Sequence, residues 1–147
     1  MKRFIFISVL SFILSGCGIV STSLYYWGGE QKGATTYENL AYKHYDKQTP
    51  ESICKLICMY EELVTYPGGS RQMPPPGICA EYGYMLLIPE NADIFARYAT
   101  SSQKKTFSST EYGTFFPERG KELMLKEMEL YPESAKFISP LIKRLCK

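Results

Sequence analysis

The segment ICAEYGYMLLI, residues 78–88, carries the clearest structural signal in the chain. Its apolar residues fall at the three- and four-residue spacing of one helix face. These residues are Ile78, Cys79, Tyr82, Met85 and Leu86. Pro89 follows and is expected to end the helix, because proline cannot continue the ladder of backbone hydrogen bonds. The segment therefore predicts a buried helix, with Gly83 as a place where a second helix comes close.

Similar periodicities on both sides of this segment predict further helices. They lie near residues 34–47, 50–66, 92–99, 117–131 and from 132 towards the C-terminus. Pro50 and Pro117 suit the first turn of a helix, where no backbone donor is needed. Pro140 is expected to kink or restart the last helix after Ser139. Because no alternating run of useful length predicts a strand, the expected fold class is all-α, built of antiparallel helical hairpins.

Small residues at two positions suggest paired helices of the tetratricopeptide-repeat type. In that repeat, W-x2-L-G-x2-Y on the first helix is followed by A-x3-F and then P on the second. Residues 79–86 and, more loosely, 37–44 fit the first half, while residues 120–132 fit the second half. Gly83 and Gly120 are 120 − 83 = 37 residues apart, so about 25 residues are inserted relative to a regular repeat. A generic helix pair is the alternative interpretation.

The insertion is expected near residues 89–116. Its segment 100–110 is rich in Ser, Thr and Lys and contains one aromatic residue, Phe107. We expect this segment to be a mobile loop that buries little surface. The loop is therefore predicted to be dispensable for folding, because changing the length of a loop costs little free energy.

The N-terminus has the pattern of an export signal. Two basic residues precede an apolar run, Phe4–Leu14, which is shorter than the roughly 20 residues that a bilayer-spanning helix needs. The run ends in LSGC, residues 14–17, which resembles the bacterial lipobox. We therefore expect residues 1–16 to be removed as a signal peptide and Cys17 to be acylated. A lipid-anchored tether at 17–24 and a helical domain at 25–147 would remain.

The residue after the expected lipid anchor bears on the destination of the protein. By resemblance to enterobacterial sorting, a residue other than Asp at this position, here Gly18, allows passage to the outer membrane. We expect the chain at the periplasmic face of the outer membrane, with the membrane as a partner through the lipid on Cys17. The aromatic residues at 25–27 are expected to pack on the first helices rather than to enter the membrane interface.

The composition limits the choice of partners. The expected mature chain has 147 − 16 = 131 residues and a net charge of (17 − 2) − 15 = 0. A neutral chain has no basic field for nucleic acid, so we expect no nucleic-acid partner. A chain of this length is expected to form one domain.

Four cysteines remain besides the lipidated one, and the expected compartment is oxidising. They are Cys54, Cys58, Cys79 and Cys146. The second and third predicted helices have a short connection and are expected to be antiparallel neighbours, which would bring Cys58 and Cys79 level. We favour a Cys58–Cys79 disulfide, with Cys54–Cys146 as the second bridge. Zinc binding and buried free thiols are the alternatives, although the spacings match no common zinc module.

The sequence contains no clear constellation of catalytic residues. His44 is the only histidine and lies on the apolar stripe of the first helix, where a half-buried structural residue is the commoner role. Glu61 and Glu62 are adjacent, point about 100° apart on a helix, and are expected to be solvated. The Cys54-x3-Cys58 spacing is not the two-residue spacing of a thioredoxin-like motif.

We therefore predict a non-enzymatic protein without catalytic residues, metal or cofactor. Two other classes stay open at this point. The first is an envelope thiol-redox protein or other enzyme, which would need a reactive thiol with a lowered pKa. The second is a structural or small-ligand-binding lipoprotein that has no protein partner.

Four motifs follow the lipobox in order along the chain. They are LYYWG at 24–28, PG at 76–77, AEYGYMLL at 80–87 and LYPES-x-x-F at 130–137. Together they resemble a bacterial lipoprotein family that is classified as a domain of unknown function and has a tetratricopeptide-like body. The resemblance implies a location in the envelope, encoded beside a curli-secretion-like lipoprotein and a second lipoprotein. Because helical-hairpin repeats build grooves that take peptides or partner helices, we expect a scaffold or partner-binding subunit of an envelope assembly. The insertion, the extra cysteines and Pro140 depart from the family pattern.

Overall fold

The structure, a computed structural model, describes residues 23–145. This part of the chain forms seven α-helices, one 3-10 turn and one small antiparallel hairpin. The helices are α1 (Thr36–Lys47), α2 (Pro50–Thr65), α3 (Ile78–Leu86), α4 (Pro89–Tyr98), α5 (Ser101–Lys104), α6 (Tyr112–Leu130) and α7 (Ala135–Leu145). Strands β1 (Glu30–Gln31) and β2 (Ala34–Thr35) form the hairpin, and the 3-10 turn spans Pro132–Ser134. The predicted all-α fold class is confirmed, and no helix within residues 23–145 is long and apolar enough to cross a membrane.

Local sequence signals explain where the first two helices begin. The hydroxyl of Thr35 accepts the backbone N–H of Glu38, and the Glu38 carboxylate accepts the backbone N–H of Thr35, so α1 starts with a capping box. At the start of α2 the hydroxyl of Thr49 accepts the backbone N–H of Ser52, without a reciprocal bond, and Pro50 occupies the first position of that helix. The predicted start of the second helix is therefore confirmed.

Two expectations about proline are wrong. The helix predicted to open at Pro117 begins instead at Tyr112, and Pro117 lies inside α6. Pro140 likewise lies inside α7, which runs without a break from Ala135. Each proline is the sixth residue of its helix, so only one early hydrogen bond is lost, and the packing of the flanking apolar residues outweighs that loss.

Helices α3 and α6 cross in backbone contact at two glycines. A Cβ atom added to Gly83 would lie 2.7 Å from the carbonyl oxygen of Gly120, and one added to Gly120 would lie 2.8 Å from the carbonyl oxygen of Gly83. Further along the pair, Oε1 of Glu127 accepts the backbone N–H of Gly77 at 2.7 Å. Residue numbers therefore fall along α6 as they rise along α3, so the two helices are antiparallel. The close approach expected from the two small residues is present.

The insertion packs into the core, contrary to the expected mobile loop. Residues 101–104 form the short helix α5, and the side chain of Phe107 is buried. Phe107 contacts the rings of Phe95, Tyr112 and Phe116, with centroids 5.2, 6.2 and 5.5 Å away. One buried aromatic residue anchors this otherwise polar stretch to the body, because it completes a cluster supplied by α4 and α6. The physical basis for calling the loop dispensable is thereby removed.

The first described residues are fixed to the connection between α2 and α3. The carbonyl oxygens of Ser23 and Leu24 accept the backbone N–H groups of Ser70 and Arg71 at 3.0 and 3.1 Å. Trp27 packs against the ring of Tyr37 on α1, with centroids 5.1 Å apart. The aromatic residues 25–27 are all at least half-buried, as expected for packing on the first helices.

Candidate partner-binding groove

An open groove of about 900 Å³ runs along the exposed side of α2. Residues of α2 from Lys55 to Tyr66 form its floor. One wall consists of Tyr26 and of Thr36 and Leu40 at the start of α1. The insertion supplies the other wall through Gln103, Lys105 and Thr106. The insertion that interrupts the expected repeat thus builds one side of this groove.

The groove lining alternates apolar and charged groups. Tyr26, Leu40 and Met59 offer apolar surface, and Tyr66 at the rim is 73% exposed. Lys55, Lys105 and Glu62 are exposed and supply both signs of charge. Such a surface suits a peptide segment with mixed side chains better than a compact apolar ligand, because most of it is open to solvent.

Two reciprocal hydrogen bonds attach α2, which forms the floor of the groove, to α3. The rings of Tyr60 and Tyr82 stack with centroids 5.5 Å apart and planes 14° apart. Tyr60 donates its hydroxyl to Oε2 of Glu81, and Tyr82 donates its hydroxyl to Oε2 of Glu61, each at 2.8 Å. The two dipeptides, Tyr-Glu at 60–61 and Glu-Tyr at 81–82, therefore face each other in mirror order.

The expectation that Glu61 is solvated is wrong. Besides the Tyr82 hydroxyl, Glu61 binds the guanidinium of Arg119 on α6 at 3.0 Å, and both side chains are mostly buried. Arg119 also binds the exposed Glu122 at 2.9 Å. Glu61 thus joins α2, α3 and α6, whereas Glu62 is exposed as expected. Buried charges need such partners, because an unpaired one is costly.

Glu81 joins α1 to α2 and α3 through hydrogen bonds. Its Oε2 also accepts the hydroxyl of Tyr37 at 2.9 Å. Burial and the neighbouring Glu81 raise the pKa of Tyr37 to about 12, and they raise that of Tyr60 further. Both phenols therefore stay protonated as donors at neutral pH. These two hydrogen bonds fix α1, and with it one wall of the groove, against α2 and α3.

His44 lies half-buried beside a second and smaller cavity of about 290 Å³. This cavity opens between α1, α2 and α3, and Tyr45, Tyr60, Tyr84 and Met85 contribute to its walls. Nδ1 of His44 lies 3.4 Å from the hydroxyl of Ser52, and burial lowers the pKa of the imidazole. The half-buried position agrees with the structural role expected for His44.

The three described cysteines are free thiols with separate neighbours. Sγ of Cys54 lies 3.9 Å from the carbonyl oxygen of Ile94, and Sγ of Cys58 lies 3.9 Å from that of Gln103. Burial raises the pKa of Cys58 to about 11 and that of Cys79 to about 12. The structure therefore does not contain the Cys58–Cys79 bridge, and this pairing stays a prediction for the exported protein.

Some expected site residues lie outside the part of the chain that the structure describes. These are the lipidation site Cys17, the signal peptide at 1–16, and Cys146 with its expected bridge to Cys54. Within residues 23–145, no group of three or more His, Cys, Asp or Glu side chains is arranged to hold a metal ion.

Comparison of the chain with protein-family models, with curated proteins and with solved structures found no significant match. The resemblance to a lipoprotein family therefore stays an expectation from the sequence motifs.

Sequence reasoning did not find the Glu61 and Glu81 contacts. The mirrored dipeptides at 60–61 and 81–82 were the available signal, since both lie on predicted helices that were expected to be neighbours. The groove itself had no sequence signal, because it depends on how residues 101–106 fold back beside α2.

Proposed function

We propose that the chain is a lipoprotein anchored through Cys17, in which a helical body serves as a non-enzymatic, partner-binding scaffold of an envelope assembly. In this proposal the body is tetratricopeptide-like and stands at the periplasmic face of the outer membrane. The observation that carries the binding role is the open groove of about 900 Å³ along α2. Grooves between helical hairpins commonly accept peptides or helices of other proteins.

The occupant that fits best is a segment of another envelope protein. The motif resemblance suggests a curli-secretion-like lipoprotein encoded alongside. Exposed lysines on the floor and on the wall from the insertion, Lys55 and Lys105, favour a segment that carries acidic side chains next to apolar ones. The exposed ring of Tyr66 offers an aromatic contact of the kind that is enriched at interfaces.

Site-specific photocrosslinking in living cells tests the binding role. A photoreactive amino acid at Tyr66, on the groove rim, should capture one defined envelope protein, identified by mass spectrometry. The matched control is the same substitution at Tyr98, which is 50% exposed on α4 and does not line the groove. Capture of the same products from both positions, or of none from Tyr66, would contradict the proposal.

The anchor is tested separately by replacing the expected lipidation site. Cys17→Ala should leave an unprocessed precursor that is not labelled by palmitate. A Cys79→Ala variant is the control, because it also removes a thiol and should be processed and labelled normally. If Cys17→Ala matures and fractionates with the membrane like the unchanged chain, the lipoprotein assignment is wrong.

The thiol chemistry bears on the redox alternative. A reactive cysteine needs a lowered pKa, because the thiolate is the nucleophile. Burial instead raises the pKa of Cys54, Cys58 and Cys79. These thiols therefore favour the scaffold over the redox alternative.

A further inference from the structure

Helix α7 combines basic side chains with apolar ones that face solvent. Its cationic residues are Lys136, Lys143 and Arg144, and it contains no acidic residue. Phe137 is 66% exposed, and Nζ of Lys136 lies 4.8 Å from the centre of its ring. This local excess of positive charge contrasts with the neutral balance of the expected mature chain.

Only one edge of α7 packs firmly on the body. Ile138 is its single buried residue, and the hydroxyl of Ser139 lies 3.4 Å from Sδ of Met128 on α6. At 100° per residue, Leu141, Ile142 and Leu145 lie within about 60° of Ile138 on the packed side, whereas Phe137 lies about 100° away and is exposed. The exposed face of α7 therefore carries three basic side chains and one aromatic ring, a composition typical of segments that bind a membrane surface.

The position of α7 supports the same interpretation. Its preceding turn is fixed to the α2–α3 connection, since the hydroxyl of Tyr131 donates to the carbonyl oxygen of Pro74 at 2.7 Å. That connection also holds the N-terminal segment through Ser70 and Arg71. The body therefore carries the start of α7 at the end where the chain leaves toward Cys17. This placement rests on the proposed lipid anchor, whereas the charge and exposure of α7 do not.

The remaining distance to a lipid on Cys17 is short. Five residues lie between Cys17 and Ser23, so the six Cα–Cα steps reach at most about 20 Å when fully extended. Helix α7 has 11 residues and is about 16 Å long. The greatest distance between Ser23 and a lipid on Cys17 is therefore comparable to the length of α7.

We propose that α7 is a membrane-surface helix that lies on an anionic phospholipid leaflet, with Lys136, Lys143 and Arg144 at the phosphates and Phe137 at the acyl boundary. Each basic residue near an anionic surface strengthens binding about fivefold. The three basic residues of α7 therefore contribute roughly 100-fold, enough to hold α7 on the bilayer once the chain is nearby.

Hydrogen exchange measured by mass spectrometry on the full chain tests this proposal. The chain is incorporated into vesicles of phosphatidylcholine alone, or of phosphatidylcholine with phosphatidylglycerol. Exchange of residues 135–145 should slow at least about fivefold on the anionic vesicles only. The double variant Lys143→Glu, Arg144→Glu should remove this protection. The matched control, Lys43→Glu with Lys47→Glu, makes the same charge change on the exposed side of α1 and should keep it.

Each outcome either supports the proposal or overturns it. Equal exchange on both vesicles overturns it, and so does protection without vesicles that grows with protein concentration, which would indicate a second copy as the occupant. The intact mass of the same sample reports the lipid on Cys17 independently. A chain without the lipid in which α7 is still protected would contradict the anchor and support this proposal. A lipidated chain in which α7 is not protected would support the anchor and overturn this proposal.

Discussion

Two helix pairs in this molecule are held together in different ways. At the α3–α6 crossing the backbones touch at Gly83 and Gly120, and the side chains around them are buried. In the α1–α2 pair, by contrast, none of the twelve residues of α1 is buried. Helix α1 is attached by half-buried side chains and by the hydrogen bond from Tyr37 to Glu81. The difference predicts a rigid body with one adjustable wall, and that wall borders the groove.

The largest effect is expected on the rigid side of this comparison. Phe107→Ala should lower the free energy of unfolding by about 3 kcal/mol, because it removes a buried ring from the Phe95–Tyr112–Phe116 cluster. Urea unfolding followed by circular dichroism measures this. Tyr98→Ala, also in the insertion but half-exposed, should cost much less. Equal small effects would return the insertion to the status of a dispensable loop.

A single methyl group at the crossing should also be costly. Gly83→Ala or Gly120→Ala should destabilise by about 1–3 kcal/mol, since the new Cβ would press against a backbone oxygen that cannot move aside easily. Gly113→Ala on the same helix α6 is the matched control, because a Cβ there meets nothing within 4 Å. That control should be neutral or stabilising by up to about 1 kcal/mol. A crossing that accepted alanine without cost would not be the rigid joint described above.

On the adjustable side, a smaller and more local effect is expected. Tyr37→Phe removes one hydrogen bond to Glu81, which contributes about 1 kcal/mol. Backbone hydrogen exchange should accelerate in α1 and stay unchanged in α3 and α6. Tyr42→Phe, which alters a 74% exposed ring on the same helix, should leave exchange as it was. Acceleration spread evenly over all helices would show that α1 does not open separately.

The smallest effect concerns pH. Burial lowers the pKa of His44 below its usual 6.5, so the unfolded chain binds the proton more readily than the folded chain. The contribution of neutral His44 to the free energy of unfolding is therefore complete above about pH 6.5. It declines as the pH falls through the lowered pKa of His44. Unfolding curves at about pH 7.5 and 5.5 should differ less for His44→Gln than for the unchanged chain. A difference of the same size in both would assign the pH dependence to other groups.

Periodicity was sufficient for the helices and for their closest contact. Gly83 and Gly120 were recognised as helix-contact positions because small residues at repeat spacing have one common physical use. The helix boundaries were harder to predict, since Pro117 resembles a helix start and Pro140 a helix break, and the local cost of each is outweighed by packing around it. Such packing involves residues distant in sequence, and a local pattern does not contain it.

The candidate site was less accessible to sequence reasoning than the fold. The polar segment 100–110 has the composition of a loop, and its attachment to the core depends on one buried ring, Phe107, that meets partners on two other helices. Likewise, Glu61 resembles a solvated surface residue until Arg119, 58 positions later, is placed beside it. Both cases involve contacts over long sequence separations, which are set by topology rather than by local propensity.

The pairing of Ser23 and Leu24 with Ser70 and Arg71 has a mechanical consequence for a chain held at its N-terminus. A pull transmitted through residue 23 would load two backbone hydrogen bonds before it reached any helix. The contact between the rings of Trp27 and Tyr37 would carry the load next, and the rest of α1 only after it. Under tension, the residues that follow Ser23 should therefore detach one after another while the contact between α3 and α6 stays intact. This N-terminal segment would extend before the rest of the body unfolds.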